Sequence, residues 1–154
     1  FAADPSAPVI DIGCGTGLSG GALRAAGFTT VDGWDPSSQM IERAKPKGIY
    51  RNLIEIDPNA PFHASDGTYA NAMASGVFSP GLAPAESIEQ VLAFLPVGGC
   101  LAFSLNDHAI ADGAHVGRIN DLLEACYCDL MFREYGEHMP GNDMKSWVYV
   151  LRKR

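Results

Sequence analysis

Residues 9–28 read VIDIGCGTGLSGGALRAAGF: an apolar run, then Gly13, Gly15 and Gly17 on alternate positions, then an amphipathic run closing on Gly27. Glycine inside a helix or strand costs about 0.5–1 kcal/mol relative to alanine. A cluster of three between two regular segments therefore marks a backbone that turns tightly or lets another group come close. Residues 8–12 have strand character, and residues 19–26 read as a helix with Gly27 as its C′ residue. The glycines thus sit in a strand-to-helix turn. Working outward, residues 29–34 form a second strand. Ser37 or Ser38 caps a helix through Ala44 that Pro46 stops. Residues 49–56 form a third strand, cut by the turn cluster Asp57-Pro58-Asn59. Residues 69–75 form a fourth. Pro84 opens a helix through Leu95, with Glu86 and Glu89 near its N-terminus, where the helix dipole favours negative charge. A turn at Val97-Gly98-Gly99 precedes a fifth strand, residues 100–105, and residues 116–126 are helical. Two aromatic-rich runs, 129–135 and 146–151, close the chain as an antiparallel pair. Alternation of this kind predicts an α/β fold, a mostly parallel sheet with helices on both faces.

The 154 residues, 47% of them hydrophobic, fit a single domain spanning 1–154. The formal charge of −7, with no basic block longer than Arg152-Lys153-Arg154, argues against a nucleic-acid partner, which needs a clustered basic face. No apolar stretch approaches the ~20 residues of a membrane span, and no signal peptide is visible. Cys14, Cys100, Cys126 and Cys128 lie in apolar surroundings and read as reduced core residues of a cytoplasmic protein. Cys126-x-Cys128 has no second Cys/His pair at ligand spacing, so no metal site is expected. His63, His115 and His138 read as surface groups. Glu124, Met131 and Trp147 fall on core-facing or solvated periodicities. Because the chain opens at Phe1, only a few residues before the first strand, a further N-terminal segment is expected ahead of it.

The glycine turn lies at the carboxyl edge of the sheet, where such folds bind ligands. There the next helix offers free N–H groups. Asp35 ends the second strand 20 residues after Gly15. A carboxylate at that point either accepts hydrogen bonds from a ribose diol or caps the helix that follows Pro36. The first reading makes the ligand a nucleoside. No lysine occurs between Gly13 and Lys45, which excludes the triphosphate loop. Gly15-Thr16-Gly17-Leu18-Ser19-Gly20 matches the dinucleotide pattern Gly-x-Gly-x-x-Gly literally. Asp11, however, precedes the glycines where a pyrophosphate would be repelled and a cationic amine welcomed. S-adenosylmethionine carries an ammonium and no phosphate.

Asp11-Ile12-Gly13-Cys14-Gly15-Thr16-Gly17 resembles the first motif of class I S-adenosylmethionine-dependent methyltransferases. Gly33-Trp34-Asp35-Pro36-Ser37-Ser38-Gln39-Met40 resembles their second-strand motif. Ile56-Asp57 with Pro61-Phe62 is similar to the family's third-strand end, and Asp66-Gly67-Thr68-Tyr69 to the entry into strand four, with Ala70 where aspartate is commonest. Leu95-Pro96-Val97-Gly98-Gly99 resembles the turn into strand five, with Pro96-Val97 replacing Lys-Pro. Gly48-Ile49-Tyr50-Arg51-Asn52-Leu53 and Ser75-Gly76-Val77-Phe78 resemble the methyltransferase-like family of the Williams–Beuren region and its bacterial relatives. The resemblance implies a three-layer Rossmann-like sandwich with strand order 3-2-1-4-5-7-6 and an antiparallel seventh strand. It implies cofactor contacts from Asp11, Gly13, Cys14, Gly15, Gly17, Asp35, Pro36, Met40, Asp57, Ser75 and Gly76. Asp57 is placed at the adenine amino group, although an Asx-turn starter explains it equally well. In the family, the segment ahead of the first strand folds over the cofactor.

Displacement at an activated methyl needs mainly positioning, which contributes ~7–11 kcal/mol. A base helps only if the acceptor arrives protonated. Beyond strand five stand Asn106, which can orient a polar acceptor, and His108, the one candidate there of the residue type suited to general-base work. An exposed loop histidine is the alternative reading of His108. The Asn-Pro-Pro-Tyr signature of adenine and glutamine methyltransferases is absent after strand four, so the expected acceptor is a small molecule. Two other functions fit the same turn. One is a nicotinamide-dependent oxidoreductase, on the literal dinucleotide pattern. The other is a non-catalytic nucleoside-binding module, on Ala70 and Pro96-Val97.

Overall fold

The computed structural model describes residues 1–2, 4–137 and 145–154. Its elements run β1 (Val9–Ile12), α1 (Leu18–Ala25), β2 (Val31–Asp35), α2 (Ser38–Ala44), a 3₁₀ turn (Lys45–Lys47), β3 (Leu53–Glu55) and β4 (Asn71–Ala74). Then follow α3 (Glu86–Phe94), β5 (Cys100–Asn106), α4 (Asp107–Asp112), α5 (Ala114–Glu124), β6 (Cys128–Glu137) and β7 (Lys145–Lys153). The strands form one seven-stranded sheet in the order β3-β2-β1-β4-β5-β7-β6. Strands β1 to β5 pair parallel; β7 enters antiparallel beside β5 and pairs antiparallel with β6. This is the topology expected from the resemblance.

Alternation along β1 divides the core. Ile10 and Ile12 face the larger cluster, with Ile88, Val91, Leu92 and Phe94 from α3 and Ile119 and Leu122 from α5. Val9 faces the other side, with Val31 and Leu23 of α1. Consecutive buried positions in β1 and β2 are what a parallel strand covered on both faces requires. After β1 the chain crosses outward to β2 and β3, then returns to place β4 on the opposite side of β1. The turns after β1 and β4 therefore diverge, and a crevice opens between them.

Several boundaries depart from the sequence reading. The third strand, expected over 49–56, is confined to Leu53–Glu55 because its lead-in is held by side-chain bonds. Tyr50 donates to Asp11, and Arg51 and Asn52 both bond Asp32. An unexpected helix, α4, follows β5 directly. Asn106 caps it, its side-chain oxygen accepting from the Ala109 N–H at 2.9 Å, and Gly113, at φ 80°, ends it. The next helix begins at Ala114 and stops at Glu124, since Cys126 adopts φ 54°.

Two burial expectations are corrected. His115 is buried rather than at the surface, because it falls on the core-facing side of α5 and bonds the Ala83 carbonyl at 3.0 Å through Nε2. Cys126 is exposed rather than in the core, because the left-handed turn after α5 swings it outward; Cys14, Cys100 and Cys128 are buried. His63 is exposed, and His138 lies outside the described residues.

Asp32 holds the β2–β3 edge together. Its carboxylate is 3% exposed and takes two bonds from Arg51, at 3.0 and 2.7 Å, one from Tyr69 at 3.1 Å, and one each from the Asn52 backbone and side chain. Burial raises this carboxyl, but the Arg51 bonds and charge, with Tyr69 and Asn52, outweigh it and hold the group below its ordinary value of 3.8. A depressed carboxyl contributes stability above the unfolded-state value and loses it on acidification. Arg51→Met should lower stability at neutral pH by about 1–2 kcal/mol, tempered by the exposure of the guanidinium, or roughly 2–8 °C in midpoint. The wild-type advantage should shrink as the pH falls below 3.8, as thermal unfolding at stepped pH will report.

Candidate functional site

The glycine turn owes its shape to backbone angles that only glycine adopts without strain. Gly13, Gly15 and Gly17 have φ of 68°, 52° and 95°. The turn is pinned to the end of β2, with the Gly13 and Cys14 N–H groups donating to the Trp34 carbonyl at 2.7 and 3.0 Å. Asp35, 7% exposed, completes the attachment. Its Oδ2 accepts from the Gly15 N–H and its Oδ1 from the Ser37 N–H, both at 2.8 Å. Ser37 in turn caps α2 through Met40 N–H.

A cavity of about 630 Å³ opens in the crevice between the β1 and β4 turns. Ile12, Gly13, Asp35 and Pro36 line its sheet end, and residues 58–62 with Ile56 form one wall. Residues 75–77 and 81–84, with Ser87 and Gln90 of α3, form the other. The walls are joined where the Phe62 N–H donates to Gln90 Oε1 at 3.1 Å. Ser104 of β5 fixes the β4 turn by accepting from the Gly76 N–H at 2.9 Å.

Beneath the glycine turn lies Asp11, wholly buried. Its Oδ2 accepts from the hydroxyls of Ser19 and Tyr50, each at 2.7 Å. Its Oδ1 has no hydrogen-bond partner among the described residues. Burial pushes this carboxyl above its ordinary value, and the Asp35 charge adds to the shift; the two hydroxyls oppose it. Burial, with the charges of Asp11 and Asp35, likewise pushes the Cys14 thiol up to about 12.

The candidate residues from the sequence are spread over several places. Gly13, Asp35, Pro36, Ser75 and Gly76 line the cavity together. Asp11, Cys14, Gly15 and Gly17 build the turn without appearing on the cavity wall, and Met40, 39% exposed, stands clear of it on α2. Asp57 borders a smaller adjoining recess with Trp34, Ile54 and His63. Its Oδ1 accepts from the Asn59 N–H at 2.8 Å, as an Asx turn does. Asn106 and His108 stand at the end of β5 outside the lining: Asn106 is engaged in capping α4, and His108 is exposed in the first turn of that helix. Sequence reasoning named Gly81 as leaving room after the fourth strand but missed residues 82–84 and Gln90. Ser79, Pro80 and Gly81 mark a loop there, but nothing local says that it folds back over the cavity.

A mostly parallel sheet with this strand order, a left-handed glycine turn after β1 and an acidic end to β2 define a Rossmann-like nucleoside-binding fold. Residues 9–95 match the family described as a methyltransferase domain, and the chain belongs to that family. It is 34% identical to human methyltransferase-like protein 27 over 94 residues, 60% of this chain and 38% of the relative. It is 31% identical to the malonyl-[acyl-carrier protein] O-methyltransferase of Halalkalibacterium halodurans over 115 residues, 67% of this chain and 40% of the relative. The chain thus matches well under half the length of either protein. Among solved structures, magnesium protoporphyrin IX methyltransferase from Synechocystis PCC 6803 shares the fold with a TM-score of 0.72 and 18% identity, over 97% of this chain and 71% of that one.

Gly13 tests how tightly the turn is specified. A Cβ added there would stand 2.4 Å from Val77 Cγ2, on a backbone at φ 68°. Gly13→Ala should cost about 1–3 kcal/mol, measured as a drop in unfolding midpoint. Adding Val77→Ala should return only part of the loss, because it removes the clash and leaves the left-handed backbone.

Proposed function

We infer that this domain binds S-adenosylmethionine in the crevice and transfers its methyl group to a small-molecule acceptor. The observation that carries the reading is the pair of carboxylates around the glycine turn. Asp35 lines the cavity with both oxygens held by backbone N–H groups and lone pairs remaining for a ribose diol. Asp11 keeps a buried, unpartnered oxygen beneath the turn. Such an oxygen favours a cationic ammonium close by and disfavours a pyrophosphate, which speaks against the nicotinamide dinucleotide alternative. These residues fit the cofactor. Gly13, Gly15 and Gly17 would flank its amino acid portion and Pro36 its adenosine, with Ser75 and Gly76 beside the methyl group.

The bound cofactor supplies a methyl already activated by the sulfonium charge. What remains to the chain is binding and alignment. Asp35 fixes the ribose, the glycine turn admits the amino acid portion at close range, and Ser104 holds the 75–77 turn on which an acceptor would rest. Among the described residues, Asp35 alone of the cavity side chains is ionisable, and two backbone N–H groups engage it, so alignment is what the lining contributes.

Calorimetry with S-adenosylhomocysteine and with NAD tests the reading. The expected result is binding of the first and not of the second. Asp35→Ala should weaken S-adenosylhomocysteine at least tenfold, since bonds to a charged group contribute ~1.5–3 kcal/mol each. Preferential NAD binding, or an unchanged affinity in the variant, would overturn it.

A further inference from the structure

Away from Asp35, the described cavity lining carries no charge. Val77, Leu82, Ala83, Pro84 and Phe62 present aliphatic and aromatic surface, and the polar side chains Asn59, Ser75, Ser87 and Gln90 are uncharged. Among the described residues, Asp35 is the sole ionisable side chain in the lining, and two backbone N–H groups already engage its carboxylate. The charges at the start of α3 are both acidic, Glu86 and Glu89, and Glu89 is paired with Arg118 at 3.5 Å. With a formal charge of −7, the chain's overall field also opposes an anion. Moving an ion from water into such a lining without a partner is strongly unfavourable, whereas apolar surface gains about 25 cal/mol per Å² buried. Asn59, Ser75 and Ser87, with Gln90 already accepting from the Phe62 N–H, are enough to orient one hydroxyl, thiol or amide.

We propose that the methyl acceptor is an uncharged molecule with an apolar body, seated between the 81–84 loop and Phe62; its single hydroxyl, thiol or amide bonds the methyl carbon as the carbon–sulfur bond breaks, leaving neutral S-adenosylhomocysteine, and releases its proton to bulk water. This rests on the methyltransferase reading and narrows its substrate class. The 81–84 loop sets the specificity. It is held by the Ala83 N–H donating to the Val77 carbonyl at 3.2 Å and by His115 bonding the Ala83 carbonyl at 3.0 Å. Leu82, 67% exposed, lines the cavity from this loop and so is open to an incoming molecule.

Three phenols of similar size separate charge from shape: para-propylphenol (neutral), phloretate (anionic) and tyramine (cationic). Their affinities for the protein saturated with S-adenosylhomocysteine are read by ligand-observed NMR. The neutral phenol should bind at least about tenfold more tightly than either charged one, and Leu82→Lys should raise phloretate affinity about tenfold. Equal or tighter binding of phloretate or tyramine overturns the proposal, as does failure of all three to bind the loaded protein. Calorimetry on the same sample separates the two levels. If S-adenosylhomocysteine itself does not bind, the methyltransferase reading fails and this proposal falls with it.

Discussion

One carboxylate joins the two halves of the site. Asp35 ends β2 buried, and through its two oxygens it grips the Gly15 N–H on one side and the Ser37 N–H on the other. The first bond fastens the turn after β1 to the neighbouring strand, and the second sets the entry to α2. Bonds from backbone N–H groups to an anion are among the stronger neutral-to-charged contacts, and both form without freezing a long side chain. The left-handed conformation of Gly13, Gly15 and Gly17 is thereby fixed in one geometry. The helix cap that the sequence offered as one reading of Asp35 falls instead to Ser37, and Asp35 acts one step earlier, on the Ser37 N–H. The residue organises the start of α2 and faces the cavity with the remainder of its acceptor capacity.

The parts of this arrangement that depend on local chemistry were legible in the sequence. The glycine turn, the strand ending in Asp35, the serine cap of α2 and the antiparallel end of the sheet all announce themselves within a few residues. What was not legible depends on partners far away along the chain. Tyr50 leaves the third strand because Asp11, 39 residues earlier, accepts its hydroxyl. His115 is drawn inward by the Ala83 carbonyl, 32 residues earlier. Asn106 looks like a polar group free to meet an acceptor until α4 is known to start there, and then its side chain is committed to the cap. Its neighbour His108 is carried outward on the same short helix. The wall formed by 81–84 was hidden for a related reason, since its position is set by an isolated bridge between Phe78 and Ala83 and by α5.

Asp11 and Asp32 show how one residue type serves opposite ends on adjacent strands. Asp32 is surrounded by donors, its charge is answered by Arg51, and its role is to fasten an edge of the sheet. Asp11 is as deeply buried but, among the described residues, receives the hydroxyls of Ser19 and Tyr50 on one oxygen and no hydrogen bond on the other, the Gly20 N–H adding a weaker pull. Burial thus costs Asp11 free energy that Asp32 recovers. A protein tolerates such an imbalance where a later arrival can correct it.

The cysteines differ sharply in their accessibility to reagents. Thiolates, not thiols, react with electrophiles, and a thiol with a pKa of about 12 is ionised to only about one part in 10⁵ at neutral pH. Cys14, itself part of the glycine turn, is therefore held as the thiol. Cys128, raised by burial to about 11, and the buried Cys100 are suppressed in the same way. Cys126, turned outward after α5, is the only one of the four that is exposed. A maleimide or iodoacetamide label will mark that single position, far along the chain from the glycine turn, and the native cysteines already make the domain suitable for site-specific attachment of a spectroscopic probe.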